Sequence, residues 1–166
     1  MTSSPAAYDT LAAFFRDTGT KPKDFDLIVT GDLGELGHAI VRDFFSRDGV
    51  DLGENFQDCG LLLYDRQAQD MHAGASGCGC SASVLNGYLL TEMRRGRWKR
   101  ILFAPTGALL SPTSSFQGES IPGICHAVAL EAEELAAAGK LVSPQALEPV
   151  YLRPAQADRL RQKINT

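Results

Sequence analysis

The hydrophobic patterning of this 166-residue chain predicts an α/β fold in which helices are layered around a sheet. Two runs, F-D-L-I-V-T-G at 25–31 and R-I-L-F-A-P-T-G at 100–107, are dominated by apolar residues and close on a glycine, as strands buried on both faces do. Around them apolar residues recur at three- and four-residue steps, the spacing of helices with one buried face. The composition, 44% hydrophobic and 22% charged, is that of an ordinary globular domain with its own core.

Tyr8, Leu11, Ala12, Phe14 and Phe15 share one face of a first helix that Gly19 ends, and the strand at 25–31 follows. A second helix is expected to start from Asp32 as its cap, to bury Leu33, Leu36, Ile40, Val41 and Phe44, and to stop at Gly49. C-G-L-L-L-Y-D at 59–65 reads as a short strand. The small-residue loop H-A-G-A-S-G-C-G-C at 72–80 leads into a helix over about 81–95, which R-R-G-R-W-K-R at 94–100 closes with cations at the negative end of the helix dipole and Gly96 as the stop. After the strand at 100–107 comes a long connection rich in hydroxyls, Gly and Pro, of the kind that carries function more often than mere linkage. I-C-H-A-V-A-L-E at 124–131 reads as one last strand, with Cys125 and Ala127 on one face and His126 and Val128 on the other. From residue 132 the composition shifts to Ala, Glu, Leu and Lys, which predicts a helical tail over 132–166 broken by Pro144 and Pro149.

Charge and cysteine usage exclude several classes. A net charge of −4 and a pI near 5.3 give no electrostatic footprint for wrapping nucleic acid. The N-terminus has no basic stretch followed by an apolar one, and no apolar run approaches the roughly 20 residues of a membrane span, so the chain is expected to be soluble and unsecreted. Cys59, Cys78, Cys80 and Cys125 are expected as free thiols, since C-x-C lacks the C-x-x-C spacing of redox and zinc sites and only three histidines are available. No metal and no cofactor are predicted. Gly31, Gly34 and Gly37 form G-x-x-G-x-x-G, which misses the dinucleotide-binding spacing.

The candidate site residues are His72, Cys78, Cys80, Ser111, Ser114, Ser115 and His126. An imidazole can donate a proton, accept one or pair with a carboxylate, so His72 and His126 serve either a ligand or a structural hydrogen bond. Cys78 and Cys80 fit a loop whose backbone must approach its neighbours closely; they are packing residues, ligand contacts or, for Cys80 near a helix start, a thiolate nucleophile. Ser111, Thr113, Ser114 and Ser115, followed by Gln117 and Gly118, supply hydroxyl and amide donors for a carboxylate ligand, or simply a turn-rich surface loop.

D-L-I-V-T-G-D-L-G-E-L-G-H at 26–38, D-C-G-L-L-L-Y-D at 58–65, H-A-G-A-S-G-C-G-C-S-A at 72–82 and T-G-A-L-L-S-P-T-S-S-F-Q-G-E-S-I-P-G-I-C-H-A-V at 106–128 together resemble the stage V sporulation protein AD family. The resemblance implies a thiolase-like fold around a mixed sheet, with residues 1–131 matching only the second, C-terminal half. It further implies synthesis in the forespore cytoplasm, a peripheral place at the spore inner membrane held through other SpoVA-complex proteins, and binding of dipicolinic acid during its uptake and its release in germination. The half that would carry a thiolase nucleophile has no counterpart in this chain, so a non-enzymatic ligand-binding protein is expected ahead of a thiolase-type acyl transferase. The tail, E-L-A-A-A-G-K-L-V-S-P-Q-A-L-E-P-V-Y-L-R-P-A-Q-A-D-R, is more similar to the C-terminus of the TsaB protein of tRNA threonylcarbamoyladenosine synthesis, which would make the chain an accessory of tRNA modification. The absent half also predicts that Val84, Leu85, Tyr88, Leu89 and Met93 are uncovered on the 81–95 helix, and that a second copy covers them in a two-fold dimer.

Overall fold

The computed structural model describes residues 3–109 and 111–132; the predicted tail lies outside the described residues. In chain order the elements are α1 (Ser3–Thr18), β1 (Leu27–Thr30), α2 (Gly34–Arg47), β2 (Phe56–Asp58), α3 (Cys59–Leu62), α4 (Cys80–Val84), α5 (Leu90–Arg94), β3 (Arg100–Ala104), β4 (Thr106–Ala108), α6 (Pro112–Phe116), β5 (Gly123–Cys125) and β6 (Val128–Glu131). A π-helical turn, Leu85–Leu89, joins α4 to α5. The main sheet is mixed and has the order β2-β1-β3-β6: β2, β1 and β3 run parallel, and β6 lies antiparallel on β3. Strands β4 and β5 form a separate antiparallel pair.

Alternation along the central strands builds two cores, one on each face of the sheet. On one face Ile28 and Leu102 pack with Leu11 and Phe14 of α1 and with Val41 and Phe45 of α2. On the other, Leu27, Val29, Ile101 and Phe103 pack with Val84, Leu89 and Met93. With both faces covered, β1 is buried at every position, which is why its sequence shows a run of apolar residues rather than polar alternation.

Several expectations are corrected. Residues 59–65 do not form a strand: the strand ends at Asp58, whose side chain accepts a hydrogen bond from the Gly60 N–H and so caps a short helix at Cys59. The segment 124–131 is two strands in different sheets, with the chain switching sheets at His126 and Ala127. Asp32 does not cap α2; Leu33 holds that position with no side-chain hydrogen bond, and Asp58 supplies the acceptors instead. The buried face of α2 is Gly34, Gly37, Val41 and Phe45, while Leu36 is 60% exposed. Two glycines on the inner face let the helix approach closely, and this displaced the apparent apolar stripe by about one residue. Finally, Val84, Leu89 and Met93 are buried and Leu85 and Tyr88 pack against the same core, so the apolar face on which the two-fold dimer was predicated points into the protein.

On α2, His38 lies parallel to the Phe56 ring with centroids 4.4 Å apart, and its Nε2–H donates to the Phe56 carbonyl at 3.0 Å. Burial lowers its pKa from 6.5 and the Arg42 cation adds to this, against the opposing pull of the Phe56 carbonyl. A lowered pKa means that the unfolded chain binds the proton more tightly, so this group's contribution to stability is present above pH 6.5 and is lost as pH falls through its folded pKa. Urea midpoints measured at about pH 7.5 and about pH 5 should fall more in the parent than in His38→Gln. An equal fall in both proteins would remove His38 from this account.

Candidate ligand-binding site

The three parallel strands end side by side, with Thr30 paired to Asp58 on one flank and to Ala104 on the other. In open α/β sheets ligands bind beyond these carboxyl ends. The chain places two carboxylates and three loops there.

Asp58 is fully buried and is the organiser of this end. Its Oδ2 accepts from the Thr30 hydroxyl at 2.7 Å and the Leu33 N–H at 3.0 Å; its Oδ1 accepts from the Gly34 N–H at 3.1 Å and the Gly60 N–H at 3.0 Å. Four donors satisfy one carboxylate and fix the starts of α2 and α3 around the end of β1. Asp58 therefore holds backbone in place.

Asp32 ties the other loops together. Its Oδ2 accepts from the Ser76 hydroxyl at 3.0 Å and the Gly77 N–H at 2.9 Å, and its Oδ1 accepts from the Thr106 hydroxyl at 3.3 Å. The small-residue loop is pinned further along by backbone bonds, the Glu35 N–H to the Ala73 carbonyl at 3.0 Å and the Ala75 N–H to the Gly60 carbonyl at 2.8 Å. Gly31 makes the convergence possible: a Cβ there would fall 2.5 Å from both the Thr106 nitrogen and its hydroxyl oxygen and 2.9 Å from the Ser81 hydroxyl. Three segments distant in sequence thus meet at one point, and only a residue without a side chain fits between them.

Around this frame the residues expected from sequence take distinct places. Cys80 is buried in the core beneath the loop, and burial, followed by the nearby Asp32 and Asp58 charges, raises its pKa; Cys78 is exposed on the loop. Cys59 and Cys125 are also buried, and burial pushes the Cys125 thiol up to about 12. The three buried thiols are packing residues held in the neutral form, whereas a nucleophilic cysteine needs a lowered pKa. His126 is exposed and follows the residue that pairs with Thr106; its N–H donates to the Pro105 carbonyl at 3.3 Å, which sets it beside the Asp32–Thr106 junction. Ser111 precedes α6, and Ser114 and Ser115 lie within it.

His72 faces a different opening. Its ring is exposed, with Nε2 2.8 Å from the Asp70 carboxylate, and it lines an open polar cleft of about 590 Å³ with Tyr64, Asp65, Arg66 and Gln67. Arg66 pairs with Glu35 and donates to the His72 carbonyl at 3.0 Å. The loop thus brings Ser76 and Gly77 to the Asp32–Thr106 junction while its first residue looks out on the cleft.

Sequence reasoning missed Asp32, Asp58, Ser76 and Thr106. The usable signal was an acid at the end of one strand, Asp58, and another two residues past the end of its neighbour, Asp32, where a carboxylate meets helix N-termini and loop amides. No group of three or more His, Cys, Asp or Glu suited to a metal occurs among the described residues.

The model of the family described as stage V sporulation protein AD matches residues 1–131. This chain belongs to that family. It is 44% identical over 128 residues to the stage V sporulation protein AD of Bacillus subtilis (strain 168), covering 77% of this chain and 38% of that relative. The chain therefore spans under half the length of the curated sporulation protein it matches. Both carboxylates, the small-residue loop and the β4–β5 pair lie within the part shared with the family. No described helix is long and apolar enough to cross a membrane.

Proposed function

We propose that this chain is a non-enzymatic, dipicolinic-acid-binding component of sporulation, working with other SpoVA-complex proteins at the spore inner membrane in dipicolinic acid uptake and in its release at germination. Membership of the stage V sporulation protein AD family carries the reading. The chemistry at the strand ends supports it. Dipicolinate offers two carboxylates flanking a ring nitrogen, and such a planar acceptor needs convergent hydroxyl and amide donors. The segment after β3 is rich in them, from Thr106 through Ser111, Thr113, Gln117 and Gly118, and His126 stands at its return. The neutral state of Cys59, Cys80 and Cys125 favours binding over acyl transfer.

A titration tests it. Calorimetry at micromolar protein should show heat on adding dipicolinate. Ligand at ten times the dissociation constant should add about 1.4 kcal/mol of stability, or about 3–5 °C in Tm, a shift that Thr106→Val reduces. Absence of heat together with an unchanged Tm at millimolar dipicolinate would overturn the reading for this chain. Fast acyl transfer from an acyl-thioester probe would replace it with the acyl-transferase alternative.

A further inference from the structure

The run R-R-G-R-W-K-R at 94–100 has a structural explanation only in part. Arg94 and Arg95 close α5 and suit the negative end of a helix dipole, but Arg97, Lys99 and Arg100 lie beyond its end. Carboxylates near the run do not balance it. Arg95 and Arg97 share Glu92, at 2.7 and 3.3 Å; Arg100 pairs with Glu131 at 2.9 Å; and Asp26 accepts the backbone N–H groups of Lys99 and Arg100. Among the described residues Arg94 has only the Thr91 hydroxyl, at 3.3 Å, and the Lys99 ammonium has no partner. Arg94, Arg95, Arg97 and Lys99 are all exposed.

Two half-buried aromatics stand among these cations. Trp98 and Tyr88 pack edge to face with ring centroids 5.7 Å apart; Arg97 lies 4.7 Å over the Trp98 ring and donates to the Tyr88 hydroxyl at 2.9 Å. Amphipathic aromatics flanked by Lys and Arg are the composition found where protein meets lipid headgroups. Position adds to the chemistry. Arg100 is the first residue of β3, so the patch lies at the opposite end of the parallel strands from Asp32, Asp58 and Thr106. The remainder of the described chain is acidic, and an anionic surface would attract this end while repelling the rest.

We propose that the Arg94–Arg100 patch docks the protein directly on an anionic phospholipid surface, leaving the carboxyl ends of β1, β2 and β3 facing away from the bilayer. Nucleic acid fits less well: Arg97 lies over the Trp98 ring and Tyr88 packs against it at right angles, so the indole is already engaged by neighbouring side chains rather than offered as a base-stacking platform. The proposal is independent of dipicolinate binding at the far end of the sheet.

Co-sedimentation of the full chain with vesicles tests it. Vesicles containing about one third phosphatidylserine should bind at least about ten-fold more protein than pure phosphatidylcholine, and the difference should vanish near 0.5 M salt. The pair Arg94→Glu and Lys99→Glu, both on exposed side chains, should lower binding by about ten-fold or more, while Arg47→Glu on α2 leaves it unchanged. Equal binding to both vesicle types, or no loss in the paired variant, would overturn the proposal. So would a single-stranded RNA gel shift that the paired variant abolishes while its vesicle binding persists. Retention of the dipicolinate-dependent Tm shift in the paired variant would separate the two ends of the sheet.

Discussion

Asp58→Ala is expected to destabilise the protein by about 3–5 kcal/mol, enough to consume much of the stability of a domain this size. The substitution leaves the Leu33 and Gly34 N–H groups without their acceptor and leaves the Thr30 hydroxyl and the Gly60 N–H only the Gln57 and Gly31 carbonyls, at 3.3 and 3.2 Å, at a position with no solvent exposure. Each buried donor left unpaired costs about 1–3 kcal/mol, and relaxation of the loops recovers part of the total. Asp58→Asn tests the origin of the effect: its amide keeps one acceptor oxygen but turns the other atom into a donor facing N–H groups, so it should rescue less than half of the loss. Urea unfolding of the three proteins reads this directly. A loss below 1 kcal/mol for Asp58→Ala would show that water or a neighbouring group takes over the four donors.

Gly31→Ala should be the second most damaging change, at about 2–3 kcal/mol, for a purely steric reason. The added methyl would sit 2.5 Å from the Thr106 backbone nitrogen, and backbone within a strand pair cannot step aside as a flexible side chain can. Relief requires β1 and β4 to separate, which lengthens the bonds from Asp32 to Thr106 and loosens the small-residue loop that the same carboxylate holds. The variant should therefore weaken the proposed dipicolinate binding by more than its stability loss explains, measured as a smaller dipicolinate-dependent Tm shift than in the parent. Unchanged stability would mean that Thr106 moves freely and that the junction is not rigid.

The layered arrangement was legible because β1 and β3 are buried on both faces and their sequences say so. The helix at 59–62 was not, since C-G-L-L-L-Y-D has the composition of a strand and becomes helical only because the preceding carboxylate is in place to cap it. The split of 124–131 between two sheets depends on where Thr106 and Phe103 lie, 19 and 25 residues before their partners Cys125 and Val128, and no local pattern records that. At the site the small residues of 72–80 announced a close approach of backbones, which Gly74 makes against Gly60, whereas Gly77 and Gly79 face open space. Asp32 and Asp58 owe their importance to partners brought in by the fold, and Cys78 and Cys80, two residues apart, diverge to surface and core for the same reason.

The strand order has a consequence for how the chain is made. Ile28 sits between Phe56 and Leu102, so β1 leaves the ribosome well before one of its two neighbours, which appears more than 70 residues later. Until residues 100–104 leave the ribosome, β1 has an open edge and its side of both cores is incomplete. Closing so long a loop carries an entropic cost that no early contact offsets. The last strand, β6, follows β3 closely and can zip onto it at once. Productive folding is thus gated by the arrival of R-I-L-F-A, and a pause in translation before that segment would prolong the lifetime of an exposed L-I-V-T edge capable of pairing with another nascent chain.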